Sequence, residues 1–175
     1  MRQLRTSRGF SLSELMVVLG IVLILLAISI PVYVSSRMRA NEVSAVATLR
    51  TLHQAQESYR RKHDEFGLIQ NLVDEGLVDP SIDRRSRERD GYEIFVRDRQ
   101  KLSGRRRRDS WAAIAWPVSW GVSGDRMYLM TPNGFLYQTT TQFVTNRKEA
   151  TKFTKKGYFL DFRLEDIPPE FQKVE

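Results

Sequence analysis

The chain has 175 residues, 41% of them apolar, enough for the core of one domain with a further element beside it. It holds no cysteine, which excludes disulfides, thiolate metal sites, cysteine nucleophiles and a lipidated cysteine anchor. Formal net charge is +7; the first 36 residues hold three arginines and one acid, so residues 37–175 carry the other +5, a balance that attracts anionic partners without choosing among them.

Arg2, Arg5 and Arg8 precede a stretch from Leu15 to Ser36 with no charged side chain. These 22 residues make about 33 Å of helix at about 1.5 Å each, close to the hydrocarbon thickness of a bilayer. The run is apolar on all sides, and Tyr33 stands near its far end, where interfacial aromatics gather. The leading arginines favour a cytoplasmic start; Arg37 and Arg39 beyond the run reduce that asymmetry. Hydropathy alone leaves three readings: a secretory signal cut near Ala27-Ile28-Ser29, a signal anchor, or a buried core helix. Glu14 separates them. A carboxylate carried to the membrane centre costs roughly 2.5–3.5 kcal/mol, and a signal peptide gains nothing from it. Glu14 lies four residues after Phe10, on the same helix face. A chain beginning at Phe10 would set a free ammonium one turn before this carboxylate, where the helix dipole also favours negative charge.

The segment Arg8-Gly9-Phe10-Ser11-Leu12-Ser13-Glu14-Leu15-Met16-Val17-Val18 resembles the prepilin processing motif of type IV pilins and type II secretion pseudopilins. The resemblance implies a basic leader, residues 1–9, removed by a membrane prepilin peptidase and methyltransferase that cuts after Gly9 and methylates the new N-terminus at Phe10. It implies that Glu14 pairs with the N-terminal amine of a neighbouring subunit during assembly. Pro31 matches the family's proline that loosens the helix in the filament; physics alone also expects a kink there, because proline lacks one donor and crowds the preceding turn. Ser13 stands where an aliphatic residue is common, and Thr51 where several major pilins carry a second proline. The implied protein is not an enzyme and needs no cofactor or metal. It is a single-pass inner-membrane subunit with a periplasmic domain, later moved into a surface filament with copies of itself and other pilins. A pseudopilin is the alternative, although the calcium-site pattern of major pseudopilins is not evident in the tail.

Beyond Pro31 the pattern becomes amphipathic. Ala45, Leu49, Leu52, Tyr59 and Phe66 recur at helical spacing, with Arg50, Gln54, Glu57 and Arg61 opposite. This predicts a helix to about His63 packing one stripe on a domain. A short helix follows over Leu68–Glu75 with Gly76 as its stop, then a turn at Asp79-Pro80. Residues 83–90 read as a charged loop. Strands are expected over Tyr92–Arg97, Trp111–Pro117, Arg126–Thr131 and Phe135–Gln138, with a turn at Pro132-Asn133-Gly134. In the second, Trp111, Ala113 and Ala115 share one face and Ile114 and Trp116 the other; the alanines let a helix approach closely. Gly157–Phe162 could add a strand, and Pro168-Pro169 a stop. The expected fold is therefore α+β and pilin-like: a long helix, membrane-spanning in its first half, on an antiparallel sheet of about four strands. Its divisions are 10–36 for the membrane or filament-core helix, 37–66 for the amphipathic half, 67–138 for the sheet domain and 139–175 for a C-terminal extension.

Two features outside the N-terminus carry candidate chemistry. Arg105, Arg106, Arg107 and Arg108 form a basic run that could contact DNA, a lipid head group or an acidic protein face, although a solvated hairpin loop is the simpler expectation. His53 and His63, about 15 Å apart on one helix, cannot share a metal ion; His63 is expected to be packed or helix-terminal. Trp111 and Trp116 are expected to pack in the sheet.

Overall fold

The structure, a computed structural model, describes residues 10–82, 88–97, 100–102, 105–107, 111–155 and 167–174. The chain divides into two compact units, Met1–Ser36 and Arg37–Glu175. One helix, α1 (Leu12–His63), passes through both. It continues through Pro31, whose missing N–H removes the donor to the Ala27 carbonyl. Ser29 Oγ donates to the Leu25 carbonyl (2.7 Å) and Ser35 Oγ to the Val32 carbonyl (3.0 Å) on either side.

In the second unit, α1 is followed by α2 (Ile69–Asp74), a 3-10 turn at Pro80–Ile82, and strands β1 (Glu88–Arg89), β2 (Tyr92–Arg97), β3 (Gln100–Leu102), β4 (Arg105–Arg107), β5 (Ala112–Pro117), β6 (Met127–Met130) and β7 (Leu136–Thr139). A helix α3 (Arg147–Lys155) and strand β8 (Gln172–Val174) complete it. Six strands form one antiparallel sheet in the order β1-β2-β5-β6-β7-β8; β3 and β4 form a separate two-stranded ribbon in the β2–β5 connection. The four expected strands are its centre. The sheet is wider than expected because β1 and β8 add short edges.

The alternation within each strand builds two cores. Ile94, Val96, Ala113, Ala115, Tyr128, Met130 and Leu136 turn to the face that packs with Ala45, Leu49, Leu52, Ala55 and Tyr59 of α1. Ala113 and Ala115 are fully buried there, as small residues under a helix require. The opposite face carries Ala112, Ile114, Trp116, Leu129 and Tyr137, and the C-terminal extension covers it with Val144, Ala150 and Phe171. Phe143, Phe153 and Phe171 stack within this cover, with ring centroids 5.6 to 6.1 Å apart. Both faces of β5 are therefore buried, and the tail is structural. The expected strand at Gly157–Phe162 lies outside the described residues.

Local chemistry fixes the joints. Gln56, fully buried in α1, donates to the Gly67 carbonyl (2.9 Å) and accepts from the Gly67 N–H (3.0 Å), which satisfies two backbone groups where the chain turns back. α2 ends in a Schellman motif: Leu77 N–H donates to the Leu72 carbonyl, Gly76 N–H to the Val73 carbonyl, and Gly76 sits at φ +68°. α3 starts at Asn146, whose Oδ1 accepts from the N–H groups of Lys148 and Glu149.

Candidate functional site

The candidate site is the N-terminal turn of α1 and the apolar helix behind it. Phe10 precedes the helix and is 82% exposed. Ser11 is the N-cap: its Oγ accepts from the Glu14 N–H at 3.2 Å, and Glu14 Oε2 accepts from the Ser11 N–H at 3.0 Å. This is a reciprocal capping box, worth about 1 kcal/mol to a helix start. Ser13 Oγ lies 2.8 Å from Ser11 Oγ and joins the same polar cluster. Glu14 is thus held within one turn of Phe10. With Oε2 engaged, Oε1 can still accept from a second donor. The Ser-x-x-Glu spacing of Ser11 and Glu14 is a sequence-level cap signal that the reading of Glu14 by charge alone passed over.

Behind this turn, sixteen large apolar side chains from Leu15 to Val34 are exposed. The helix carries one stretch long and apolar enough to cross a membrane, with none of it buried within the chain. At roughly 1.5–3 kcal/mol for each large apolar side chain, leaving these in water forfeits on the order of 20 kcal/mol or more. That exceeds the 5–15 kcal/mol that typically holds a domain together, so the helix requires an apolar environment from outside its own chain.

Gly9 and the leader arginines lie outside the described residues. Pro31 lies inside α1, among the exposed apolar side chains. Arg105, Arg106 and Arg107 form β4, one strand of the two-stranded ribbon with β3; Arg108 lies outside the described residues. The ribbon's register places Lys101 opposite Arg106. His63 ends α1, stacks on Tyr59 at 4.1 Å and lies 2.5 Å from Glu75 Oε1 through Nε2. His53 stacks on Trp111 at 6.1 Å. Among the described residues no three His, Cys, Asp or Glu side chains group closely enough to hold an ion. Trp111 and Trp116 are buried on opposite faces of the sheet, as their alternation implies.

A polar latch that sequence reading missed joins α1 to the β5–β6 loop. Asn41 Nδ2 donates to the Ser123 carbonyl at 2.9 Å, the Asp125 N–H donates to Glu42 Oε1 at 3.3 Å, and Arg126 Nη1 lies 3.5 Å from Glu42 Oε2. Tyr92 OH donates to the Arg126 carbonyl at 2.9 Å. Gly124 is required beneath it, because a Cβ there would come within 2.1 Å of the Tyr92 hydroxyl.

A long apolar N-terminal helix, capped by a carboxylate one turn from a phenylalanine and continued under an antiparallel sheet, defines a pilin-like protein. Residues 4–30 match the family model of the prokaryotic N-terminal methylation motif. The chain is 37% identical over 67 residues to the type IV major pilin protein PilA of Myxococcus xanthus, covering 38% of this chain and 30% of that protein. It is 35% identical over 63 residues to the type IV wide pilus major component PilA4 of Thermus thermophilus, covering 36% of this chain and 48% of that protein. The matches therefore span less than half the length of either relative. The chain is a type IV pilin-like protein carrying the N-terminal methylation motif.

Proposed function

We propose that this chain is made as a precursor, cleaved between Gly9 and Phe10, N-methylated at Phe10, and packed by its N-terminal helix into a type IV pilus-like filament. The observation that carries the reading is the fully exposed apolar helix with its single carboxylate in the first turn. In the inner membrane, lipid covers residues 10–36 while residues 37–175 stand in the periplasm. In a filament at the cell surface, the helices of other subunits replace the lipid. The prepilin peptidase and methyltransferase is the implied processing partner. A pilus is favoured over a secretion pseudopilus because both curated relatives are named as major pilus components.

Glu14 gives the apolar bundle its register. Oε2 closes the capping box, and Oε1 is available to the methylated amine of a neighbouring Phe10. A charge-assisted bond of this kind is worth about 1.5–3 kcal/mol, or roughly tenfold to a hundredfold in subunit affinity. Glu14→Gln keeps a capping-box residue but removes the charge, whereas Glu14→Val removes both. Both variants are expected to be cleaved and methylated normally, and both to lose about tenfold or more in filament incorporation. Filaments built from Glu14→Gln at the level of the unaltered chain, seen by shearing and electron microscopy, would contradict the pairing.

The β3–β4 ribbon supports a second reading, an anionic contact at Arg105, Arg106, Arg107 and Arg108. Four consecutive arginines in the connection between β2 and β5 offer a polyanion such as DNA a dense group of cations.

A further inference from the structure

A groove of about 580 Å³ opens between the second half of α1 and the segment that follows α2. Ala47 and Thr51 line it from α1, and Leu77, Val78 and Pro80 from the other side. The hydroxyls of the α1 wall are already spent. Thr48 Oγ1 donates to the Ser44 carbonyl (2.9 Å) and Thr51 Oγ1 to the Ala47 carbonyl (3.0 Å), while Ser44 Oγ donates to Asp90 Oδ2. That wall therefore offers no free hydroxyl donor, and the groove suits apolar side chains. Two exposed charged residues, Asp79 and Arg89, also line it.

The β5–β6 loop of the same domain presents apolar side chains to solvent. Val118 is 45% exposed and Val122 65% exposed. The loop is held by its own bonds: Ser119 N–H donates to Ser123 Oγ, Ser123 Oγ and N–H donate to the Ser119 carbonyl, and Gly121 N–H donates to the Gly124 carbonyl, with Gly121 at φ +75°. Asn41 and Glu42 tie it to α1, and half-buried Trp120 packs against the second core. Such a loop cannot rearrange cheaply to hide its valines. Two exposed charged residues, Asp125 and Arg126, end it. No residue from 118 to 126 lines the groove, so within one chain the loop leaves the groove open.

We propose that Val122, carried on its loop, seats in the groove of a second copy of this chain, with Asp125 and Arg126 of the loop meeting Arg89 and Asp79 of the groove. The proposal rests on the filament reading and deepens it, adding a contact between the domains of residues 37–175 to the one between N-terminal helices. A second copy is the favoured occupant because its loop carries both things the groove matches: an exposed apolar side chain, and one acid and one base to face one base and one acid. Loop and groove share no residue, so the contact is heterologous. Each copy keeps a free loop at one side and a free groove at the other, and such contacts propagate into an open helix when the rotation does not close a ring. A twofold dimer would instead use one patch twice and stop there.

The chain lacks cysteine, so introduced cysteines react alone. Full-length chains bearing Val122→Cys and Ala47→Cys, each with its own affinity tag, would be expressed together, and their sheared filaments treated with a bifunctional maleimide. Both positions are exposed, so neither substitution touches the core. Mixed-tag dimers should exceed same-tag dimers, and a chain carrying both cysteines should give a ladder of covalent oligomers. In the cysteine-free chain, Val122→Asp should lower filament yield about tenfold or more, because it would set a charge in an apolar groove. Filaments that assemble normally with Val122→Asp, or that yield no mixed-tag dimer, would overturn the proposal and leave the filament reading standing. Dimers joined only through position 122 of both copies would overturn it too, by assigning the loop to a twofold contact. So would a link formed within one doubly substituted chain, which would place the loop over its own groove. If the unaltered chain builds no filament, the filament reading fails and the proposal fails with it.

Discussion

Glu42 shows how a single side chain ties the helix to the sheet domain at some cost to stability. Burial pushes its pKa above the ordinary 4.5, the neighbouring Asp125 carboxyl adds to this, and the Asp125 N–H and the Arg126 guanidinium oppose it. The folded state therefore keeps the Glu42 proton to higher pH than the unfolded state. Its contribution to stability falls as pH rises from about 4.5 through the raised folded value. Burial beside the same carboxylate also raises Tyr128 to about 12. Three surface acids run the other way: Glu75 is lowered first by Lys62, Asp79 by the Ser81 N–H and Glu149 by Thr145. Their contributions are present above the ordinary carboxylate range and are lost as pH falls through their depressed values. Glu42→Gln keeps an acceptor for the Asp125 N–H and removes the ionisation. The urea midpoint of the fragment 37–175 should then decline less between pH 4.5 and 7 in the variant than in the unaltered fragment. Identical slopes would show that Glu42 titrates as it does when unfolded. No pattern in the sequence pairs Glu42 with Arg126, 84 positions away, so this latch is visible only in the fold.

At the scale of elements, the stripe from Ala45 to Tyr59 and the alternation of β5 were readable because each buries a regular face against a large partner. The edges were not. β1 has two residues and β8 three, too short to alternate, and their pairing depends on the strands beside them. α3 offers little but Ala150 and Phe153 as an apolar face, although Asn146 is a cap signal that could have marked its start. The β3–β4 ribbon was hidden by polarity: nothing in Gln100–Leu102 or Arg105–Arg107 suggests a buried side, and cross-strand backbone pairing alone defines it. If this ribbon holds a polyanion, the fragment 37–175 should bind duplex DNA with a steep salt dependence. Replacing Arg105, Arg106 and Arg107 by alanine should then flatten the log–log slope by about 2–3, at roughly 0.9 per phosphate contact. Binding with an unchanged slope would place the contact elsewhere on the basic domain, and no binding at low salt would remove it.

At the scale of the whole molecule, the two units face opposite physical demands. The described residues of 37–175 bury both faces of β5 at the centre of their sheet. The apolar run before them is not buried within the chain and, on the filament reading, is covered first by lipid and then by copies of itself. The processing motif, the apolar length and the position of Glu14 were all legible because they are local. The capping box was local too, and it was missed only because Glu14 was weighed as a charge and not as a partner of Ser11. What the outer domain touches is not legible in the same way, because a basic surface admits many anions.

Prepilin processing is tested most directly by where the mature chain begins. Intact mass and N-terminal peptide sequencing of the membrane-extracted protein should find N-methylated Phe10 as the first residue, with the nine leader residues gone. A chain that begins at Met1, or beyond Ser29, would contradict processing as a prepilin, and the filament reading would fall with it.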